Sequence, residues 1–510
     1  MSTPPFQRIG VVGSGAMGRG IAQLFAQSGI AVHLYDNHAG ALEAALASVA
    51  DTFAKLLDKG RISAEAAAAA RARLVRAESL AALAGCDLVI EAIVERLDAK
   101  RELFVQLEAV VADEAVLATN TSSLSVTGIA AACRRPQRVA GLHFFNPVPL
   151  MKVVEVVPGV RTDAGVVERL VALTRVTGHR PVVAQDTPGF VVNHAGRGFG
   201  TEALKALGEG VADIATIDRI LREQVAFDGQ GFKLGPFELM DLTGLDVSQP
   251  VMESIYRQFY DEPRFRPSPI AAQRLAGGLV GRKAGAGFYL HQDGRQQTPA
   301  EPAAPQVAIR PPVWVAPGPH AAALREAVAA LQGVVQDTAR PTEHALVLLA
   351  PLGLDASAAA SGLPAERAIA IDALFPVAPG QCKRRVLMST PATRPDYRDA
   401  AHALFATDGT PVSMLRDSPG FVAQRVLAMI VSIGTEIAQQ RIASPADIDT
   451  AVRIGLGYPL GPLAMGDALG PGAVLAILEN MHRLTGDPRY RPGGWLRRRA
   501  QLGLSLLHED

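Results

Sequence analysis

Apolar residues in the first part of the chain come in short, nearly unbroken runs, separated by stretches whose apolar positions recur with helical spacing. RIGVVG (8–13) reads as a buried strand, 15–28 as a helix and AVHLYD (31–36) as a second strand. A long Ala-rich helical stretch over 40–74 follows. Then come CDLVIEAI (86–93) as a strand, a helix over 98–112 and AVLATNTS (115–122) as a strand. RVAGLHFF (138–145) and KVVEVV (152–157) continue the series, and HRPVVAQDTPGFVVN (179–193) closes it. Strands joined through helical crossovers predict a doubly wound, mainly parallel sheet with helices on both faces. From about 186 the pattern turns mainly helical, and QQTPAEPAAPQVAIRPP (296–312) has the proline content of a linker.

Beyond that tract the chain repeats itself. QDTPGFVVN ends at Asn193 and RDSPGFVAQ at Gln424; LGPFELMD ends at Asp241 and LGPLAMGD at Asp467; VVEVVP ends at Pro158 and VLMSTP at Pro391. Three landmarks in one order with near-equal offsets predict a duplication. The expected organisation is an α/β domain over 1–185 and a helical domain over 186–295. After the linker at 296–312 come a degenerate α/β segment over 313–416 and a second helical domain over 417–510.

Composition adds limits. At 510 residues, 48% hydrophobic and 20% charged, the chain has material for several cores. Lys+Arg and Asp+Glu are 50 each, so no basic excess points to nucleic acid. Cys86, Cys133 and Cys382 are odd in number and lack any C-x-x-C spacing, which argues against a disulfide framework or a zinc site and for thiols in a reducing compartment. The N-terminus shows no charged segment followed by an apolar one. The Ala-rich run at 64–70, flanked by Arg61, Arg71 and Arg73, is too short to span a bilayer, so a cytoplasmic protein without a membrane partner is expected.

Chemistry enters at the first turn. Gly13-Ser14-Gly15-Ala16-Met17-Gly18 follows a predicted strand and opens a predicted helix, the context in which G-x-G-x-x-G binds a dinucleotide (a Rossmann-type domain). Gly13 permits the tight turn, Gly15 lets backbone approach a pyrophosphate, and Gly18 allows close helix–strand contact. Asp36 ends the next strand, where a carboxylate accepts from a ribose 2′-hydroxyl and repels a 2′-phosphate. NAD is therefore expected over NADP. In the second copy Ala316 and Ala321 replace Gly13 and Gly18. Pro317 and Pro319 remove backbone donors as well, so only the first copy is expected to hold a dinucleotide.

Two further positions resist a structural explanation. GLHFFNPVP places His143 and Asn146 at the end of an apolar strand, and Glu155 interrupts VVEVV. A carboxylate among valines is costly to bury without a partner, and His143 on an adjacent strand is the nearest candidate. Such a pair fixes the imidazole tautomer and stabilises the imidazolium, which is what a base needs when an alcohol loses hydride to a nicotinamide. Ser122 and Ser123 in TNTSSLS also fit plain helix N-caps, and Asn193 also fits a turn or cap residue.

The motifs GSGAMGRGIAQ, LYD, VIEAIVE, NTSSLS, GLHFFNPVPLMKVVEVV, DTPGFVVN, LGPFELMDLTGLD and GRKAGAGFY follow one another in this chain as they do in the 3-hydroxyacyl-CoA dehydrogenases. The chain resembles that family over about 8–295. Its duplicated form resembles the bacterial 3-hydroxybutyryl-CoA/3-hydroxyadipyl-CoA dehydrogenases, more loosely over 313–510. The resemblance implies NAD as cofactor and a (3S)-3-hydroxyacyl-CoA substrate, short-chain or dicarboxylic, in β-oxidation or phenylacetate catabolism. It implies that His143 is the acid/base and Glu155 its orienting partner, with Ser122 and Asn193 on the substrate hydroxyl and thioester. Asn146 is then beside His143 and the nicotinamide. Glu95, Lys100 and Lys283 fall where relatives contact NAD, and Thr52 and Lys59 fall where relatives touch CoA. Lys59 fits a solvated helix-face lysine equally well.

Two departures stand out. The segment from Asn193 to Gly200, NHAGRGFG, is glycine-rich for a helix, which puts its rigidity and the acyl pocket in question. Lys233 follows Phe232 where relatives carry an aromatic-Pro pair; it is either a surface charge or a partner for a carboxylate-bearing acyl tail. Aligning Pro158 with Pro391 sets Glu155 against Met388, while Asn193 meets Gln424, and IDALFPVAP contains no histidine. The second copy is therefore expected to be catalytically empty, with 417–510 packed on 186–295. That arrangement would be an intrachain pseudo-dimer, the alternative being a homodimer. Two other functions remain open: a dehydrogenase of a non-CoA hydroxy acid on this scaffold, and a non-enzymatic NAD-binding protein. The second predicts decay of His143 or Glu155, and both are present. Only seven residues precede Arg8, which leaves the expectation of a stand-alone dehydrogenase.

Overall fold

The computed structural model describes residues 5–510, and these form two compact units. The first comprises the chain up to His194 together with Gln440–Leu456; the second comprises Ala195–Gln439 and Gly457–Asp510.

The first unit is built on an eight-stranded sheet. Its strands are β1 (Arg8–Val12), β2 (Ala31–Tyr35), β3 (Leu74–Arg76), β4 (Leu88–Glu91), β5 (Val116–Thr119), β6 (Val139–Phe144), β7 (Val153–Pro158) and β8 (Arg180–Val183). The order is β3-β2-β1-β4-β5-β6-β7-β8. Pairing is parallel throughout except between β6 and β7, which run antiparallel. The exception has a simple cause: only a short segment without a helix separates β6 from β7, and a parallel return needs a crossover of a dozen or more residues. Ile9, Val11, Leu88, Ile90, Ala118, Leu142 and Val156 face one apolar layer, and Val12, Val89, Leu117 and Val139 face the other. A parallel sheet covered on both faces explains why these strands read as unbroken apolar runs. The stretch over 40–74 is two helices, Ala39–Asp58 and Ala64–Ala72, and its last residue already belongs to β3.

In the second unit, helices and a short hairpin, β9 (Leu290–Gln292) with β10 (Arg295–Gln297), precede a six-stranded sheet. Its strands are β11 (Val313–Val315), β12 (Val335–Gln336), β13 (Leu346–Leu349), β14 (Ala368–Ile371), β15 (Arg385–Ser389) and β16 (Val412–Leu415), in the order β12-β11-β13-β14-β15-β16. Here too one neighbouring pair, β14 with β15, is antiparallel. Each strand of the second sheet has a counterpart in the first. Arg138, ahead of β6, donates to the carbonyl of Ala115, and Arg367, ahead of β14, donates to that of Ala345. Asp186 accepts from the N–H groups of Val126 and Thr127, and Asp417 accepts from that of Ala356. On this correspondence β13 matches β5, and no counterpart of β3 or β4 occurs in the second sheet.

The proline-rich tract is tied down. Arg384, 1% exposed, grips both carboxylate oxygens of Glu301 while also pairing with Glu223 at 2.8 Å. The carbonyl of Pro299 accepts from Arg219.

The glycine-rich helix start also has a cause. A Cβ on Gly198 would lie 3.0–3.2 Å from the backbone of Met429 and Ile430, so the helix Arg197–Gly208 approaches the helix Val422–Gln439 closely at that point. Fully buried Glu202 on the first of these helices accepts from Arg425 at 2.8 Å, Arg489 at 3.0 Å and Tyr490 at 2.7 Å. The turns EPRFRP (262–267) and DPRYRP (487–492), a repeat missed in the sequence, make reciprocal bonds. Arg264 donates to the Arg491 carbonyl at 2.7 Å, and Arg489 donates to that of Arg266 at 3.2 Å. Reciprocity of this kind marks an isologous contact.

Candidate active site

The turn after β1 has the shape a dinucleotide needs. Gly13 has φ +101°, a conformation glycine reaches without strain, and a Cβ on it would lie 2.5 Å from the Ala92 carbonyl oxygen. A Cβ on Gly18 would sit 1.8 Å from the Gly13 carbonyl oxygen. Around Gly15 a Cβ would meet nothing within 4 Å, so the one open glycine is the one at the helix N-terminus, where a pyrophosphate would approach. Half-buried Met17 packs on the core below. Asp36 stands at the end of β2. Burial raises its pKa, but hydrogen bonds from the His38 N–H and from the Ser14 hydroxyl and N–H outweigh this and hold the carboxyl below its ordinary value. These residues fit NAD: an open backbone cradle beside a fixed carboxylate.

At the other half of the sheet, antiparallel register sets His143 directly opposite Glu155. The imidazole Nδ1 lies 2.6 Å from Glu155 Oε2, with His143 5% and Glu155 0% exposed. The second carboxylate oxygen, Oε1, accepts from the N–H groups of Val191 and Val192, both at 2.9 Å. Those two donors converge because the chain turns sharply at Gly189 (φ +76°) and Phe190 (φ +48°), the latter a left-handed conformation costing roughly 1–3 kcal/mol for a bulky residue. With both Glu155 oxygens engaged, Nδ1 carries the proton and Nε2 is left as the acceptor. Phe145 packs on the imidazole with ring centres 4.3 Å apart, and Phe190 at 5.9 Å. Behind the strand, buried His179 joins the Thr177 hydroxyl to the Val148 carbonyl; its burial lowers its pKa.

Ser122 follows β5, and His143 is the last residue but one of its parallel neighbour β6, so both lie at the carboxyl ends of adjacent strands. The Ser122 turn is organised by Glu95. Its Oε1 accepts from the Thr121 hydroxyl at 2.6 Å and from the N–H groups of Ser122 and Ser123 at 3.0 and 3.2 Å. Burial raises the Glu95 pKa, but Lys100 and these donors bring it below the ordinary value. Lys100 is 1% exposed, with Nζ 2.5 Å from Glu91 and 3.2 Å from Glu95. Fully buried Glu91, at the end of β4, also accepts from the Ile93 N–H and the Thr119 hydroxyl, each at 2.7 Å. Sequence reasoning did not single out Glu91, although a carboxylate ending an all-apolar strand is the same signal that exposed Glu155.

The other expected residues spread further. Asn146 is exposed at the start of the loop after β6, and Asn193 lies in the short helix Val192–Ala195 beside the Glu155 donors. Thr52 and exposed Lys59 lie two turns apart on one side of the helix Ala39–Asp58 and its cap; the Thr52 hydroxyl donates to the Ser48 carbonyl. Lys283, in the second unit, pairs with Asp246 at 2.6 Å. Lys233 is exposed, while Phe232 stacks on Phe199 at 4.6 Å. All three cysteines are free, and burial pushes the thiols of Cys86 and Cys133 up to about 11.

Family comparison agrees with this geometry. Residues 8–187 match the 3-hydroxyacyl-CoA dehydrogenase NAD binding domain, and 189–291 and 420–505 match the 3-hydroxyacyl-CoA dehydrogenase C-terminal domain. The chain belongs to the 3-hydroxyacyl-CoA dehydrogenase family. It is 39% identical over 509 residues to the 3-hydroxyadipyl-CoA dehydrogenase of Escherichia coli K12, covering 97% of this chain and 98% of that protein. It is 38% identical over 283 residues to the 3-hydroxybutyryl-CoA dehydrogenase of Bradyrhizobium diazoefficiens, covering 56% and 94%. The crystal structure of an Escherichia coli K12 3-hydroxybutyryl-CoA dehydrogenase superposes with TM-score 0.85 at 37% identity, covering 98% of both chains. As a member of this family the chain is an NAD-dependent oxidoreductase of the Rossmann type followed by a helical domain.

The second sheet corrects one sequence assignment. Register puts Val386, not Met388, where the first sheet has Glu155: Glu155 is level with Val182, and Val386 with the matching Ser413. The Asp372 N–H donates to the Val386 carbonyl, so Asp372 takes the place of His143. Its carboxylate is closed off by the side-chain amides of Gln424 at 2.8 Å and Gln224 at 2.9 Å. Gln424, the counterpart of Asn193, also accepts from the Gly353 N–H. The second copy thus has a buried acid in place of the base, a valine in place of its partner and a glutamine in place of the asparagine.

Proposed function

We propose that this enzyme oxidises a (3S)-3-hydroxyacyl-CoA with a short or dicarboxylic acyl group to the 3-ketoacyl-CoA. The observation that carries this reading is the His143–Glu155 pair, with Glu155 Oε1 held by two backbone N–H groups and His143 Nε2 left as the acceptor. Bound NAD, held along Gly13–Gly18 and Asp36, supplies the acceptor for the hydride leaving C3. His143 Nε2 takes the hydroxyl proton as the C3–O bond becomes a carbonyl, and Glu155 balances the imidazolium that results. Ser122 and Asn193 hold the substrate hydroxyl and thioester, Asn146 and Glu95 flank the nicotinamide side, and Thr52 with Lys59 meets the CoA. The reading places the reaction in the cytoplasm, with free thiols. The carboxylate-bearing acyl tail is favoured by the name of the Escherichia coli relative that is alike over the whole chain.

The test is steady-state NADH formation with 3-hydroxybutyryl-CoA, 3-hydroxyadipyl-CoA and the corresponding free hydroxy acids. A CoA thioester should give the highest kcat/KM; turnover of free acids alone would overturn the reading. The reciprocal Arg264 and Arg489 bonds within the second unit support an intrachain pseudo-dimer. Deleting 296–510 should then give an aggregating or newly dimerising protein, and a stable, fully active monomer by light scattering contradicts this.

A further inference from the structure

We infer that Glu91 is a positioning residue: through Lys100 and Glu95 it sets the Thr121–Ser123 turn, and with it Ser122, against the reacting alcohol. The inference rests on the proposed 3-hydroxyacyl-CoA reaction and names how the substrate-facing turn of that site is held.

The turn itself contains no regular structure, and its N–H groups need acceptors. One oxygen of Glu95 receives the Ser122 and Ser123 N–H groups together with the Thr121 hydroxyl and, at 3.1 Å, the Ser123 hydroxyl. A carboxylate on a partly exposed side chain would ordinarily sample several rotamers. Here its other oxygen is 3.2 Å from Lys100 Nζ, and that ammonium is itself immobilised, 1% exposed and 2.5 Å from Glu91. Glu91 in turn is fixed by the Ile93 N–H and the Thr119 hydroxyl, so the chain of contacts runs from rigid strand to turn without a free rotor. The trio carries two negative charges and one positive. A purely structural ion pair needs only Glu91 and Lys100; the third member faces the Ser122 turn, and that is where its hydrogen bonds go.

Comparison of the two sheets separates function from folding. The second sheet has no counterpart of β4 or of the helix Leu97–Val110, hence no Glu91, Glu95 or Lys100. Its turn after β13 is held by other means: the Gly353 N–H donates to Gln424 and the Asn480 amide donates to the Leu352 carbonyl. The doubly wound sheet therefore forms without the trio, and the trio is absent from the copy that lost the histidine base. Its close packing leaves Lys100 acting on the turn through Glu95.

The experiment compares Glu91→Gln, Lys100→Met, the charge-neutral pair Glu91→Gln/Lys100→Met, and Glu95→Gln in the full-length chain. Three quantities are read: amide hydrogen exchange at Ser122 and Ser123 without substrate, NADH affinity by fluorescence titration, and kcat and KM with 3-hydroxybutyryl-CoA. Expected are faster exchange at the two serines and kcat lowered about 10²-fold, the order of loss from a small misplacement of a reacting group, with NADH affinity of Glu91→Gln, the member of the trio not placed at the cofactor, within about threefold of the parent. Ser122→Ala added to Lys100→Met should lower kcat no further. Unchanged exchange and kcat would overturn the inference. So would a loss of NADH affinity in Glu91→Gln matching its loss of rate, which makes the trio a cofactor site alone, or additive losses with Ser122→Ala. If Lys100→Met fails to fold, Glu95→Gln, altered only at the partly exposed end, must still show the exchange and kcat effects. Failure of the parent enzyme to turn over any CoA thioester counts against the reaction, and the exchange data still decide the positioning claim.

Discussion

Replacing Glu155 by Gln should damage catalysis more than stability, for a reason fixed by its three hydrogen-bond contacts. The two N–H groups of Val191 and Val192 converge on Oε1, so the glutamine amide must place its oxygen there. Its NH2 then faces His143 Nδ1 across the 2.6 Å contact and can only donate. Nδ1 becomes the acceptor, the imidazole proton moves to Nε2, and the nitrogen meant to take the hydroxyl proton is already protonated. A wrong-tautomer histidine of this sort costs about 10⁴-fold in kcat in the serine-protease triad, so roughly 10³–10⁴-fold is expected here. Stability should change little, since every hydrogen bond keeps a partner. Glu155→Ala behaves in the opposite sense. It leaves the tautomer free but strands two buried N–H groups at about 1–3 kcal/mol each, so its melting temperature falls further while its kcat falls no more than that of Gln. The assays are single-turnover NADH formation, thermal unfolding and ¹⁵N NMR of the imidazole. A Glu155→Gln enzyme within tenfold of the parent, or one whose Nδ1 remains protonated, refutes the reasoning.

Gly15→Val should fold normally and lose at least tenfold in NAD affinity by calorimetry, because the added atoms enter only the open cradle; Gly18→Ala should instead lower the melting temperature, because its Cβ meets the Gly13 carbonyl. Glu202→Leu leaves Arg489 buried without a carboxylate and Arg425 with Glu209 alone, and should cost about 3–5 kcal/mol in urea denaturation. Burial raises the Asp372 pKa against the lowering effect of its hydrogen bonds from Gln424 and Gln224. Its stabilisation is therefore complete below the unfolded value of 3.8 and is lost as pH rises through the higher folded value. Asp372→Asn should flatten that part of the pH–stability curve, since Gln224 Oε1, unpartnered among the described residues, can turn to accept the new NH2.

The sheet and its His143–Glu155 contact were legible because burial leaves a sharp trace in sequence: an apolar run ending in glycines, and one carboxylate among valines. The correspondence between Glu155 and Val386 was not. VVEVVP and VLMSTP align on their prolines with a slip of two residues, and a two-residue slip keeps every side chain on the same face of a strand, so apolar patterning cannot detect it. Only the ladder with β16 decides the register. The Glu91–Lys100 pair was missed because VIEAIVE reads as a family motif before it reads as a buried charge. The turns at 262–267 and 487–492 were overlooked because each is a short polar loop whose meaning lies in the bond it makes to the other.

The helix Pro445–Leu456 descends from the second copy by position in the chain, yet it belongs to the first unit. It lies along β8 and β7. Gly455 packs on Val192, and the backbone and amide of Gln185 are bonded to Ile442 and Arg441. Val192 is also one of the two residues whose N–H groups fix Glu155. A copy that carries Asp372 and Val386 where the first has His143 and Glu155 thus supplies the wall behind the backbone donors of Glu155. Alanines stand where its opening turn would need glycines, yet a deletion of the copy would strip the strand edge beside Glu155. The duplication is in this sense a ratchet: easy to silence, hard to discard, and heritable as a dependency rather than as a second enzyme.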